Sequence, residues 1–94
     1  MKDIYIKNAK IFKALSDQNR LKILHILSDG ERCGCELLNH FNFTQPTLSH
    51  HMRVLMGCGI VKCRKEGTWI YYSLEEKVCD DTIKFLEEIL NEGV

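Results

Sequence analysis

Thr44-Gln45-Pro46-Thr47-Leu48-Ser49-His50-His51-Met52-Arg53-Val54-Leu55-Met56 is the stretch whose reading decides the fold. Thr44 stands two residues before Pro46, the place of an N-cap with proline in the first helical turn. From about Gln45 to Met56 the spacing predicts a helix, with Leu48, Met52 and Leu55 as its buried stripe. Gln45, Thr47, Ser49, His50 and Arg53 then face outward. One apolar stripe opposite short hydrogen-bonding side chains suits a helix that lies in a DNA major groove. Gln45 matches an adenine edge, and Thr47 and Ser49 reach base edges or phosphates. His50 and Arg53 can bond phosphate or a guanine edge, and the helix N-terminus itself attracts phosphate.

Upstream, Asn42-Phe43 reads as a tight turn. Before it lies a short helix from about Cys33 to His40, with Leu37, Leu38 and Phe41 on its apolar side. Gln18 to Leu27 has helical apolar faces, opened by Ser16-Asp17 and stopped by Asp29-Gly30. Asp3 to Leu15 is an amphipathic helix carrying Ile4, Ala9, Phe12 and Leu15. Downstream, Ile60 to Arg64 reads as a strand and Lys65-Glu66-Gly67-Thr68 as a hairpin turn. Trp69 to Leu74, aromatic and β-branched, is a second strand. From Glu76 to Asn91 the apolar residues return to helical spacing. The order predicts a mainly α fold with a small β-hairpin, a winged helix-turn-helix in the order α-α-α-α-β-β-α. Residues 1–94 form one domain. Arg64 and Lys65 flank the tip of the wing, where they can meet the DNA backbone or minor groove.

Net charge is zero, with 13 basic and 13 acidic side chains. Its distribution is uneven: residues 44–72 hold four basic side chains and one acidic, whereas residues 73–94 hold two and seven. A phosphate-facing surface needs only local positive charge. No apolar run reaches the length of a membrane span, and Met1 to Tyr5 lacks the apolar core of a signal peptide. The expectation is a cytoplasmic chain with no membrane partner. Five cysteines, an odd number, argue against a secreted disulfide scaffold. In a reducing cytosol they serve soft metal ions, redox sensing or core packing.

Three stretches together resemble the ArsR/SmtB family of metal(loid)-sensing repressors: Ala14 to Leu24, Thr44 to Leu55, and Arg64 to Tyr72. The resemblance covers about residues 9 to 75. It implies a homodimeric winged-helix repressor bound to double-stranded operator DNA at an imperfect palindrome, with the first and last helices at the dimer interface. DNA contacts would fall on Thr44, Gln45, Thr47, Ser49 and His50, with Arg64 and Lys65 in the wing. This is the face read from the residues themselves, which adds Arg53.

Glu31-Arg32-Cys33-Gly34-Cys35-Glu36-Leu37 resembles the family's thiol-sensor motif, a Cys-x-Cys pair that opens the third helix. Thiolates are soft ligands, and the resemblance implies As(III) or Sb(III) as effector, held by Cys33 and Cys35. On a regular helix two residues i and i+2 point about 200° apart, at about 100° per residue. Chelation by both would then unwind the helix start, with Gly34 easing the change, and would couple effector and DNA negatively. Some arsenic sensors carry a third cysteine where this chain has Leu38. Cys58, Cys63, Cys79 or an external thiol remain for that place. The cadmium/lead type adds cysteines from an N-terminal arm, and here the chain starts at the first helix. The alternative trigger is thiol oxidation or persulfidation, or another soft ion such as cadmium or lead. A thiol oxidoreductase is disfavoured, because no strand-to-helix reactive-cysteine scaffold, nucleotide loop or paired acid–base set appears.

Overall fold

The computed structural model describes residues 2–92. Helix α1 (Lys2–Leu15) is followed by α2 (Gln18–Leu27), strand β1 (Arg32–Cys33), α3 (Gly34–Leu38) and α4 (Gln45–Gly57). Strands β2 (Val61–Glu66) and β3 (Trp69–Leu74) and helix α5 (Glu76–Glu87) complete it, and a π-helical segment extends α5 through Glu88–Glu92. The helix-turn-helix is α3 and α4, and the wing is the β2–β3 hairpin.

Local chemistry accounts for most boundaries. Asp17 caps α2: its carboxylate accepts from the backbone N–H of Asn19 at 2.8 Å and of Arg20 at 3.1 Å. Those bonds satisfy amides that have no partner within the helix. The hairpin turns on two residues, Gly67-Thr68, rather than on the four expected, so β2 runs on through Lys65 and Glu66. Gly67 has φ +65° and no non-glycine residue has positive φ among those described. Positive φ at the first central residue alone is the sign pattern of a type II′ turn, whose twist matches that of the strands it joins.

The strand Arg32–Cys33 was not expected. It pairs antiparallel with β3, Arg32 opposite Tyr72 and Cys33 opposite Tyr71, which makes a three-stranded sheet in the order β1-β3-β2. Two residues are too few for alternation to register in a sequence. The third helix is shorter than expected for the same reason: Cys33 is extended, with φ −75° and ψ 155°, and α3 begins only at Gly34.

The core joins these elements around the stripe of α4. Leu48, Met52 and Leu55 are at most 1% exposed and pack with Ile11, Ile23, Leu37 and Tyr72. Helix α5 lies on α1, where the Phe85 ring meets Tyr5 at 6.0 Å and Phe12 at 6.2 Å between centroids. Ile83, Leu86, Ile89 and Leu90 of the tail are left exposed, as are Ile4, Tyr5 and Ile6 of α1. Among the described residues no helix is long and apolar enough to cross a membrane.

Met52 has no exposed surface, so Met52→Ala leaves a cavity under the reading helix. A loss of about 2–5 kcal/mol is expected, read from urea unfolding midpoints.

Candidate nucleic-acid interface and thiol site

The outward face of α4 is as the periodicity predicts. Thr44, Gln45, Thr47, His50 and Arg53 are exposed, and Ser49 is half-buried. Thr44 occupies the N-cap position, with its hydroxyl 3.4 Å from that of Thr47. The Gln45 side-chain amide donates to the Ser49 hydroxyl at 3.0 Å. These contacts hold polar groups in a row one helical turn apart, oriented before any ligand arrives.

A brace sets the angle of that helix. Arg20 Nε donates to the Ala14 carbonyl at 2.6 Å, and Arg20 Nη1 lies 3.1 Å from His51 Nδ1. A guanidinium only donates, so Nδ1 accepts and the imidazole proton sits on Nε2. His51 is 7% exposed and packs against Phe43, 5.4 Å between ring centroids. Burial pulls its pKa below the ordinary 6.5; the nearby Asp17 carboxylate opposes this, and the Arg20 charge adds to it. One polar contact thus ties the end of α1 and the start of α2 to the middle of α4. The pairing spans 31 residues of chain and left no trace in the periodicity.

The two wing cations differ. Arg64 makes a two-pronged bond to Glu31, 2.9 Å on each prong, and a further bond to Glu66 at 2.5 Å. Its guanidinium also covers the Tyr71 ring at 4.6 Å. The hydrogen bonds it donates, to Glu31 first and Glu66 second, push its pKa above the arginine norm. Arg64 thus directs three of its five N–H donors to carboxylates, and its charge is largely met within the fold. Lys65 is exposed, without an ion-pair partner among the described residues.

Cys33 and Cys35 meet at the strand–helix junction. Their Cα atoms are 5.4 Å apart and their sulfurs are joined as a disulfide. This corrects the premise that both cysteines lie on one helix and diverge. Cys33 precedes the helix in extended backbone, so its side chain turns back toward Cys35 with α3 intact. Cys33 is buried and Cys35 exposed. Glu36 helps hold the junction, accepting from the Cys33 N–H at 3.1 Å. Unwinding eased by Gly34 is accordingly not required to bring the sulfurs together. The remaining cysteines do not join them: among the described residues no group of three or more His, Cys, Asp or Glu side chains is placed to hold a metal ion. Cys58 donates from its thiol to the Leu55 carbonyl at 3.3 Å, Cys63 is exposed on β2, and burial raises the Cys79 thiol pKa.

Known proteins resemble this chain in sequence and in fold. A family model described as "Bacterial regulatory protein, arsR family" matches residues 17–62. An arsenical resistance operon repressor of Staphylococcus aureus is 48% identical over 85 residues, covering 90% of this chain and 82% of the relative. Among solved structures, an ArsR-like transcriptional regulator from Rhodococcus sp. RHA1 superposes with TM-score 0.83 at 29% identity, covering 96% of this chain and 85% of that one. A homodimeric winged helix-turn-helix DNA-binding domain from Mycobacterium bovis superposes with TM-score 0.78 at 27% identity, covering 94% and 84%.

The His51 brace makes stability depend on pH. A depressed histidine pKa gives stability that is present above the unfolded value of 6.5 and lost as pH falls through the folded value. The urea midpoint of the wild type should fall more steeply below pH 6.5 than that of His51→Gln; parallel curves would remove the brace as cause. In the wing, Lys65→Gln should lower the salt dependence of DNA binding by about 0.9 in log–log slope. Arg64→Gln should lower it less, because its charge is already met by carboxylates.

Proposed function

The chain belongs to the arsR family of bacterial regulatory proteins and is a DNA-binding transcriptional repressor, not an enzyme, and we propose that trivalent arsenic or antimony, held by the Cys33 and Cys35 thiolates, releases it from its operator. The observation that carries this reading is the convergence of the two sulfurs at the junction of β1 and α3. Two adjacent soft donors suit a thiophilic ion. The pair is first reduced by thiol–disulfide exchange with an external dithiol, which leaves as its own disulfide while Cys33 and Cys35 become thiols. Each As–S bond then forms as a thiol gives its proton to an arsenic hydroxide, which leaves as water. A third donor comes from outside this cluster, an external thiol being the simplest source.

The junction is well placed to act on DNA binding. Cys33 lies on the strand paired with β3 of the wing, and Cys35 lies on α3, which packs against α4. An ion that resets the separation of the two sulfurs therefore biases wing and reading helix together. Effector and operator weaken each other's binding reciprocally.

The operator contacts in this reading are Thr44, Gln45, Thr47, Ser49, His50 and Arg53 from α4, with Arg64 and Lys65 from the wing. Residues 1–94 act as one domain that pairs with a second copy through α1 and α5. Two lines support the pairing: the exposed apolar side chains on those helices, and the structural neighbour described as homodimeric. Two-fold symmetry calls for two half-sites, hence an imperfect palindrome.

Fluorescence anisotropy on the chain's own promoter fragment, under reductant, tests the trigger. Arsenite should weaken operator affinity by about 5- to 150-fold, and Cys33→Ser/Cys35→Ser should bind DNA but ignore arsenite. Release by peroxide alone would replace the metalloid with thiol oxidation, and release by cadmium or lead alone would change the ion.

A further inference from the structure

Beside the reading helix is an open cleft of about 460 Å³. Lys10 and Lys13 of α1, Arg20 of α2 and His50 of α4 line it, over a floor that includes Val54 and Cys58. No carboxylate lines it among the described residues. Lys10, Lys13 and His50 are exposed, and neither lysine has an ion-pair partner among the described residues.

Arg20 adds a further cation to the lining of the cleft. It is half-buried, and its two hydrogen bonds go to neutral acceptors, the Ala14 carbonyl and His51 Nδ1. No carboxylate lies within ion-pair distance of it among the described residues. The nearest carboxylate, Asp17, accepts from the Arg20 backbone N–H but makes no ion pair with the guanidinium among the described residues, and the lysines beside it add to the positive field. His50, one of the operator contacts proposed above, forms one wall, so the cleft continues the face of α4 onto α1.

We propose that this cleft is a second phosphate seat, in which Lys10 and Lys13, with Arg20 behind them, grip the operator backbone beside the segment that α4 reads. It lies outside both the recognition helix and the wing, and it carries affinity without sequence information, as phosphate contacts do. A multiply charged anion drawn across Lys10, Lys13 and His50 also ties α1 to α4, steadying the reading helix at the moment of docking. The inference rests on DNA binding and is independent of the metalloid reading.

The test compares wild type, Lys10→Gln/Lys13→Gln and Gln45→Ala on operator and on unrelated DNA over a series of salt concentrations. If each lysine releases a counterion, the double variant should lose about 1.8 from the log–log salt slope, with the same fold-loss of affinity on both DNAs. Gln45→Ala should lose discrimination between the two DNAs with its slope kept. This separates a failed seat from a failed reading helix. Thermal melts of the double variant guard against misfolding, since both lysines are exposed and their loss should leave the midpoint in place. An unchanged slope overturns the proposal. So does protection of the wild type, but not of the double variant, by inorganic phosphate in thermal melts with no slope difference, because the cleft would then hold a free anion.

Discussion

A reading helix works only if its orientation is set before DNA arrives, and here that setting rests on how α4 is seated. Leu48, Met52 and Leu55 drive one side of it into the core. Apolar burial is strong but non-directional; alone it would leave the helix free to slide or roll by small amounts. The Arg20–His51 contact supplies the missing direction, since a guanidinium and an imidazole nitrogen meet well in only one geometry. The rest of the domain is arranged around that seat: α1 and α2 behind it, α3 beneath it, and the wing to one side.

The junction of β1 and α3 is the other organising point. Two residues of strand are enough to hydrogen-bond Cys33 into the sheet, and the change from extended to helical backbone at Gly34 brings Cys35 round to meet it. The two sulfurs thus sit on elements that touch both the wing and α4. Glu31, just before the strand, strengthens the link with its two-pronged bond to Arg64 of the wing. That pair is exposed and brings little stability, but it holds β1 and β2 to a common position across β3.

Zero net charge conceals a division of labour among the cations. Arg32, Lys62, Arg64 and Lys77 are matched with carboxylates within the fold. Lys10, Lys13, Arg53 and Lys65 are exposed and have no such partner among the described residues. The acid-rich tail helix lies on α1. Field at a surface depends on which charges are left uncompensated there, not on the sum.

The helices, the hairpin and the outward row on α4 were legible in the sequence because each is a local pattern: an apolar period, a capping residue, a glycine where φ must be positive. The Cys-x-Cys pair was legible as chemistry for the same reason. Its geometry was not, because two residues of strand carry no period and the pairing that makes them a strand lies nearly forty residues away at Tyr71 and Tyr72. The hairpin turn also contracted to Gly67-Thr68 once strand pairing extended to Glu66 and Trp69. Arg20 with His51, Arg64 with Glu31, and the cleft that gathers Lys10, Lys13 and His50 are contacts between segments distant in the chain. Sequence by itself determined the helices, the wing and the candidate polar and thiol side chains; only the packing of α1, α2 and the sheet around α4 decided which side chains meet, because those far apart in the chain are brought together by burial and not by spacing.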